Sequence, residues 1–312
     1  MAWTMRQQAA ETVTDVFLED DRIAIVLAEI STDYFERAFA HDPLRAVNVG
    51  IMEQTMVGVA AGFALEGFHP VAHTITPFLA ERALEQVKLD FGNQELGGTL
   101  FSTGASYDYG TDGATHYSPG DVQALATIPG IRIAVPGHPD EVDTLLRHAL
   151  AGDDLTYLRT QAIANARPRE VEPGRIDVIR RGEAGTVLAV GPMLDRVLEA
   201  TGNLDLTVLY ATTVWPLDAG TLAREAAPGP DVIVVEPFYA GTLAAPVTEA
   251  LADRASRIRS IGVPRRIPRE YGTPAQHDRE FGLDAAGVGG QIRAALASAP
   301  TGGLDAAAAG RS

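Results

Sequence analysis

The sequence contains no cysteine and no apolar run long enough to span a bilayer. The absence of cysteine excludes disulfides and thiolate metal sites and leaves the compartment open. No basic-then-apolar leader pattern is present, so a cytoplasmic location is the expectation. Basic residues are also few: 25 Lys and Arg stand against 41 Asp and Glu, giving a formal net charge of −16. This charge argues against nucleic acid or an anionic membrane as a partner.

What the chain does contain is a regular alternation of apolar runs and helical patterns. It has 312 residues with 46% hydrophobic content, enough to bury a sizeable core in two domains. Buried strands are predicted at 23–28, 46–49, 70–75, 97–103, 131–135 and 155–159, and again at 186–190, 207–210 and 231–236. Helical patterns lie between them, which predicts an α/β fold with mainly parallel sheets.

A change of composition separates two such patterns. The segment 169–185 is rich in Pro, Arg and Glu and is predicted to be a linker. We therefore expect two Rossmann-like domains, at 1–168 and 186–299. The Ala/Gly-rich tail at 300–312 is predicted to be disordered.

The most informative stretch runs from Arg45 to Gly67. It predicts a short strand, a turn at Gly50 and a helix that begins near Met52. Glu53 falls in the first turn of this helix, at the carboxyl edge of the sheet, where ligands bind in open α/β folds. Taken alone, Glu53 is explained as an acid that complements the helix dipole. The alternative is a buried acid that holds a nitrogen of a cofactor.

Histidines occur in two contexts. His69 and His73 have a spacing that binds zinc on a helix, but Pro70 makes the segment extended and no third ligand is apparent, so structural histidines are favoured. In contrast, Asp112 and His116 share a Gly-rich loop that leaves the carboxyl end of a strand. A carboxylate and an imidazole in such a place are typical of proton transfer.

Four motifs in this order resemble the transketolase family. They are Asn48-Val-Gly-Ile-Met-Glu-Gln54, Arg82-Ala-Leu-Glu-Gln86, Asp112-Gly-Ala-Thr-His116 and Ile128-Pro-Gly-Ile-Arg-Ile-Ala-Val-Pro136. The resemblance covers most of residues 5–298 and corresponds to the second half of a full-length transketolase. It implies a pyrimidine-binding domain for thiamine diphosphate, followed by the family's C-terminal domain.

The other half of that family is missing from this sequence. The family holds the diphosphate through Mg²⁺ (or Ca²⁺) on a Gly-Asp-Gly…Asn motif, which the chain lacks. The resemblance therefore implies the small subunit of a split transketolase, with no metal ligands of its own. We expect it to be inactive alone and to work with a separate diphosphate-binding subunit, in an assembly of two copies of each.

The resemblance also implies roles for four residues near the cofactor. Glu53 corresponds to the glutamate that hydrogen-bonds N1′ of the aminopyrimidine, a contact that favours the imino tautomer. Phe78 corresponds to an aromatic that stacks on the pyrimidine ring. Ile51 and Ile30 correspond to apolar residues near the cofactor.

Contacts to the substrate follow from the same correspondence. Asp112 and His116 match groups that contact the hydroxyl and carbonyl of the donor sugar. Arg159 and His73 are further candidates for substrate binding, and Arg167 is an alternative to Arg159.

Some positions depart from the family pattern. Ile75 and Glu81 stand where two further aromatics usually surround the pyrimidine. Gly104 stands where the family has a phosphate-binding histidine, and Ala162 where it has an arginine. Losing both would remove the main charge-assisted contacts to a sugar phosphate. At least one substrate is therefore expected to lack the phosphate or to carry its anion elsewhere.

The leading hypothesis is a thiamine-diphosphate-dependent transferase that moves a two-carbon ketol unit from a ketose to an aldehyde. The alternatives within the cofactor class are chemistry like that of deoxyxylulose-phosphate synthase, or a subunit like the β chain of a 2-oxoacid dehydrogenase. A non-catalytic partner subunit is the alternative outside it.

Overall fold

The structure, a computed structural model, describes residues 3–297, so the predicted tail at 300–312 lies outside the described residues. The first sheet has seven strands in the order β10-β5-β6-β4-β3-β1-β2. Its strands are β1 (Ile23–Leu27), β2 (Ala46–Asn48), β3 (His69–Ile75), β4 (Gly98–Thr103), β5 (Arg132–Ala134), β6 (Leu155–Arg159) and β10 (Thr213–Trp215). All neighbours are parallel except β10, which pairs antiparallel with β5.

The second sheet has five strands in the order β12-β11-β8-β9-β7. They are β7 (Ile176–Arg180), β8 (Thr186–Val190), β9 (Thr207–Ala211), β11 (Asp231–Tyr239) and β12 (Arg257–Val263). Only the β7–β9 pairing is antiparallel among those described for this sheet. The predicted α/β fold with mainly parallel sheets is therefore confirmed.

Helices cover these sheets. They are α1 (Met5–Glu19), α2 (Glu36–His41), α3 (Glu53–Leu65), α4 (Leu84–Gln86), α5 (Asp121–Leu125), α6 (Pro139–Ala151), α7 (Leu194–Thr201), α8 (Ala219–Glu225), α9 (Ala244–Ala250), α10 (Pro274–Phe281) and α11 (Ala285–Ala297). Successive residues of β1 pack in different apolar clusters, Ile25 in one and Val26 in the other. Successive strand residues face opposite sides, so this sheet is covered on both faces, as continuous apolar strands require.

The structure differs from the predicted elements at the sheet edges. Strand β7 lies inside the segment predicted as a linker, and half-buried residues such as Asp177 and Arg180 explain why it does not look like a buried strand. Strand β10 has three residues and joins the first sheet although it lies in the second half of the chain. Such edge strands lack the apolar signature on which the prediction rests.

The predicted helix over 78–91 is irregular. It consists of π-helical turns at Phe78–Arg82 and Val87–Gly92 with the short α4 between them. Apolar spacing alone does not distinguish a π turn from an α-helix. Such turns are frequent at functional sites, and this one begins at a predicted cofactor contact. No helix within residues 3–297 is long and apolar enough to cross a membrane.

Candidate active site

Four neighbouring strands, β4, β3, β1 and β2, end at the same edge of the first sheet. The loops that follow them carry the predicted site residues. Asn48 links two of these loops, because its Oδ1 accepts hydrogen bonds from the backbone N–H groups of Glu29 and Gly50, both at 3.0 Å. Gly50 has a φ of +75°, a conformation that glycine adopts without strain, and it turns the chain into α3.

Glu53 is the first residue of α3 and is 1% exposed. Its Oε2 accepts a hydrogen bond of 2.6 Å from Nη1 of Arg82. The same guanidinium lies 4.1 Å from the ring centroid of Phe78. An acid, a cation and an aromatic ring thus form one unit at the start of α3, held by a charge-assisted hydrogen bond.

The other oxygen of Glu53 remains available. Within residues 3–297, no group donates a hydrogen bond to Oε1. Oε1 is not among the fully buried side-chain atoms without a partner in the described part of the chain, so it keeps some exposed surface at the sheet edge. Glu53 therefore fits a ligand that donates a hydrogen bond, such as a protonated ring nitrogen.

The loop after β4, residues 104–120, is called the site loop below. His116 ends a 3₁₀ turn at Ala114–His116, and its ring is steeply inclined to that of Phe78, at 69°, with 5.3 Å between centroids. Tyr109 also contacts this imidazole, with 6.1 Å between its centroid and that of His116. Asp112 is exposed on the same loop. The structure thus places His116 beside Phe78, while Asp112 has a more open position.

The two predicted isoleucines lie on adjacent loops of this edge. Ile51 is 71% exposed and directly precedes Met52 and Glu53. Ile30 follows β1 and is half-buried. These apolar side chains offer surface that a ligand or a partner chain can cover.

His73 does not fit the predicted substrate contact. It is fully buried, its Nδ1–H donates to the carbonyl oxygen of Phe101 at 3.0 Å, and its Nε2 accepts from the Ser31 hydroxyl at 2.7 Å. Burial lowers the pKa of His73 to about 3. Both nitrogens are engaged and the ring is neutral, so the assignment to substrate binding is corrected and the structural interpretation of this histidine is favoured.

The predicted substrate contact of Arg159 is likewise corrected. Its side chain is fully buried and its Nε donates to Oδ2 of Asp121 at 2.7 Å. Its Nη2 donates to Oγ of Ser106 at 2.6 Å, and its guanidinium lies 5.5 Å from the ring centroid of Phe238 in the second sheet. Arg159 therefore holds the two sheets together from inside.

Two of the positions that depart from the family pattern share a cavity of about 230 Å³. Gly104 and Ala162 line it, with Asp108, Tyr109 and Gln161. The ring of Tyr109 occupies the space that a side chain at position 104 would need. Burial raises the pKa of Asp108 to about 7, so this carboxyl does not place a full negative charge in the cavity at neutral pH.

Glu81 and Ile75 also occupy defined places. Glu81 Oε1 accepts a hydrogen bond of 2.8 Å from the Ser118 hydroxyl, and burial raises the pKa of this carboxyl. Ile75 is half-buried at the end of β3.

The contact of Arg82 with Glu53 and Phe78 was not predicted from the sequence. A signal was present, because Phe78 and Arg82 are four residues apart, a spacing that brings side chains together on a helix.

Comparison with known protein families identifies the family of this chain. Residues 2–165 match the model of the transketolase pyrimidine-binding domain, and residues 174–288 match that of the transketolase C-terminal domain. The chain belongs to the transketolase family. The predicted resemblance is thereby confirmed for both halves of the chain.

Three relatives show how this transketolase-family chain compares in length. A protein of Rhodococcoides fascians, described as an uncharacterized 33.6 kDa protein in fasciation locus, is 44% identical over 91% of this chain and 92% of its own length. One of the subunits of the apulose-4-phosphate transketolase of Actinobacillus succinogenes is 30% identical, over 76% of this chain and 80% of its own. The 1-deoxy-D-xylulose-5-phosphate synthase of Magnetococcus marinus is 34% identical over 84% of this chain. The match spans only 44% of that synthase's length.

A solved structure of the same length confirms the fold. A split-gene transketolase, described as an inactive β4 tetramer, superimposes with a TM-score of 0.83 at 24% sequence identity. The match covers 95% of this transketolase-family chain and 99% of the other. At this identity the likeness concerns the fold.

Proposed function

We propose that this chain is the small subunit of a two-component, thiamine-diphosphate-dependent enzyme of the transketolase type. The enzyme transfers a two-carbon ketol unit from a ketose to an aldehyde acceptor. The observation that supports this most directly is Glu53: a buried carboxylate at a helix N-terminus, with one oxygen open, paired with Arg82, whose guanidinium lies over the ring of Phe78.

The residues present fit the pyrimidine half of the cofactor. Oε1 of Glu53 would accept a hydrogen bond from the ring nitrogen, Phe78 would supply the stacking ring, and Ile51 and Ile30 would supply apolar contacts. When bound, thiamine diphosphate supplies a thiazolium carbon that becomes the nucleophile toward a ketose carbonyl. The task of Glu53 is to hold the aminopyrimidine in the correct protonation state.

The site loop would handle the sugar. Asp112 is exposed and would accept a hydrogen bond from a substrate hydroxyl. His116 lies against Phe78 and can donate to or accept from an oxygen of the substrate. An imidazole beside the cofactor ring is suited to moving a proton as the substrate oxygen gains or loses charge.

A second subunit would complete the site. The chain lacks the family's Gly-Asp-Gly…Asn motif, so the diphosphate and its Mg²⁺ (or Ca²⁺) would be bound by a separate chain. The relative from Actinobacillus succinogenes is itself named as one subunit of a transketolase, which supports this division. Helix α3 exposes Gly58 and Gly62, and small residues of this kind allow close backbone approach by a partner. An assembly of two copies of each subunit would satisfy the symmetry that such enzymes prefer.

The test is a titration of thiamine diphosphate and Mg²⁺ into this chain, with and without a candidate diphosphate-binding subunit. Cofactor binding is measured by calorimetry and ketose consumption by a coupled assay. We expect binding and turnover only in the mixture. Tight binding by this chain alone would contradict the two-component proposal. Cofactor binding in neither case would favour the non-catalytic partner.

The second candidate is chemistry of the 1-deoxy-D-xylulose-5-phosphate synthase type, in which the donor is a 2-oxoacid. Its support is the sequence identity to such a synthase together with Arg82 beside the stacking ring. Supplying the mixture with pyruvate or with a ketose as the donor separates the two. Release of CO₂ from pyruvate would replace the ketol-transfer proposal.

A further inference from the structure

A short segment of the second domain reaches the tip of the site loop. Residues 264–272, called the strap below, connect β12 to α10. The N–H of Gly272 donates to the carbonyl oxygen of Gly110 at 3.1 Å. The hydroxyl of Tyr117 lies 3.4 Å from the carbonyl oxygen of Glu270. The strap therefore contacts the site loop by its backbone on both sides of Asp112.

Tyr271 makes the contact nearest to the predicted substrate groups. Its ring lies against Gly113, the residue that directly follows Asp112 in the site loop. A Cβ atom at position 113 would lie 2.9 Å from Cζ and 3.1 Å from the hydroxyl oxygen of Tyr271. Gly113 also has a φ of +81°. Position 113 therefore requires glycine for two reasons: its backbone conformation favours glycine, and the ring of Tyr271 leaves no space for a side chain.

The Tyr271 side chain packs on the site loop and remains 72% exposed. The backbone that it covers is the turn between Asp112 and His116. Its position thus restricts the one part of the site loop that carries both polar site residues.

Side-chain contacts hold the strap to its surroundings. Nη2 of Arg266 pairs with Oε1 of Glu280 at 2.6 Å, and Nη2 of Arg265 donates to Oε1 of Gln123 at 2.9 Å. At its end, Thr273 caps α10 through a reciprocal pair of hydrogen bonds with Gln276. These contacts tie the strap to both domains.

Helix α10 holds the flanks of the same loop. The Tyr107 hydroxyl donates to Oδ1 of Asp278 at 2.7 Å, and the Tyr117 hydroxyl lies 2.8 Å from Nε2 of His277. The second domain thus fixes the loop before and after its tip, and Tyr271 covers the tip.

We propose that Tyr271 is a positioning residue that sets the placement of Asp112 and His116 for the ketol-transfer reaction. The inference rests on the proposed function for its consequence in turnover, but its structural half can be tested without turnover. Tyr271 acts through the backbone of Gly113 and need not touch the substrate. The second domain thereby takes part in the active site.

The structural half is tested by amide hydrogen exchange on the full chain without partner. The peptide over residues 109–117 contains the N–H groups of Asp112 and His116, which donate to the carbonyl oxygens of Tyr109 and Gly113 at 2.8 and 3.0 Å. Tyr271→Ala should accelerate their exchange about tenfold, because the loop opens locally more often. Tyr271→Phe keeps the ring and should exchange like the parent chain.

Ile267→Ala is the matched control, because Ile267 lies on the same strap and is 68% exposed. Unchanged exchange in this variant is expected. Equal acceleration by Ile267→Ala and Tyr271→Ala would assign the effect to the strap as a whole and overturn the role of Tyr271. Unchanged exchange in Tyr271→Ala would also overturn it, whether or not the mixture of subunits proves active.

The functional half is tested in the mixture with the diphosphate-binding subunit. Tyr271→Ala should lower kcat about tenfold or more, since misplacement of catalytic groups by a fraction of an ångström is costly. The affinity for thiamine diphosphate should change less than about twofold, because Glu53 and Phe78 are untouched. Recovery of kcat in Tyr271→Phe completes the expected pattern. Faster exchange together with an unchanged kcat in Tyr271→Ala would overturn the proposal.

Discussion

Two buried carboxylates of the first domain begin helices and pair with an arginine, yet only one of the two pairs remains open to a ligand. Glu53 begins α3 and pairs with Arg82, whose side chain is 42% exposed. Asp121 begins α5 and pairs with Arg159, and both side chains are 0% exposed. We call them the edge pair and the sealed pair. Their residue types are alike, so their different roles come from their surroundings.

The second domain makes the difference. Strand β11 covers the sealed pair, because Nη2 of Arg159 also faces the carbonyl oxygen of Pro237 at 3.5 Å. The Tyr157 hydroxyl donates to the same carboxylate oxygen of Asp121 at 2.8 Å. In the edge pair, by contrast, Arg82 is open to solvent, and Ile51 beside Glu53 is largely exposed. A buried ion pair closed by protein is structural, whereas one left open at the sheet edge can bind a cofactor.

The largest expected effect comes from removing the carboxylate of the edge pair. Glu53→Gln should lower turnover of the two-subunit mixture by about 10²–10⁴-fold, the range for losing a group that controls proton transfer. The stability of the chain should change little, because Arg82 can turn to solvent. Turnover is measured by ketose consumption and stability by urea unfolding.

Glu66→Gln, at the exposed end of the same helix, is the matched control and should stay within about twofold of the parent. Full activity of Glu53→Gln would remove the edge pair from the site and favour the non-catalytic partner subunit.

The sealed pair should respond in the opposite way. Arg159→Ala leaves Asp121 buried without its cation, which typically destabilises a protein by about 3–5 kcal/mol. The free energy of unfolding in urea measures this. Any remaining folded protein should keep its KM for the ketose, because Arg159 does not face a ligand.

Arg22→Ala breaks an ion pair with Asp20 in which the arginine is 60% exposed and should cost less than about 1 kcal/mol. A raised KM with normal stability in Arg159→Ala would restore Arg159 to the substrate contacts.

A smaller effect is expected from Asp108, which lies near the sealed pair. Burial raises the pKa of this carboxyl to about 7, above the value of about 3.9 for an unfolded chain. The native state therefore keeps a proton that the unfolded state has lost, and stability should fall as pH rises from about 4 to about 7. Asp108→Asn removes this contribution, so the free energy of unfolding of the variant should rise relative to that of the parent as pH increases.

Urea unfolding at about pH 5 and about pH 8 measures the difference, on the scale of about 1.4 kcal/mol for each unit of pKa shift. Glu236 in the second domain contributes a slope of the same sign, because burial raises its pKa to about 7. The comparison must therefore be made between Asp108→Asn and the parent, and not on the parent alone. Parallel pH profiles would show that Asp108 does not hold a proton in the native state.

The contrast between the pairs also shows what the sequence can predict. The buried strands of both sheets are apolar in continuous runs, and their carboxyl ends indicate where ligand-binding loops lie. Glu53 and His116 could therefore be assigned to one edge before any coordinates. The structure places His116 against Phe78 and links Glu53 to the same ring through Arg82, and the roles of both residues stay predictions.

Burial and pairing could not be predicted in this way. In the sequence, Arg159 is a cation at a strand end, a place where ligands bind. Only the folded chain shows that it pairs with Asp121, 38 residues away in sequence. The same holds for Tyr271, which reaches the site loop from the other domain. Residue type and local spacing contain no information about such long-range contacts.

The smallest effect concerns the cavity lined by Gly104 and Ala162. Restoring the family's phosphate contacts with Gly104→His and Ala162→Arg should improve the use of phosphorylated aldoses, because a charge-assisted contact to a phosphate is strong.

The structure adds a condition to this prediction. The ring of Tyr109 fills the space that a side chain at position 104 needs, and Gly104 has a φ of +73°. The double variant alone should therefore gain little, and Tyr109→Ala should be needed to reveal the improvement. The measurement is kcat/KM for a phosphorylated aldose and its unphosphorylated counterpart, with Tyr109→Ala alone as the control. An equal change for both substrates would mean that this cavity does not bind the end of the sugar that carries the phosphate.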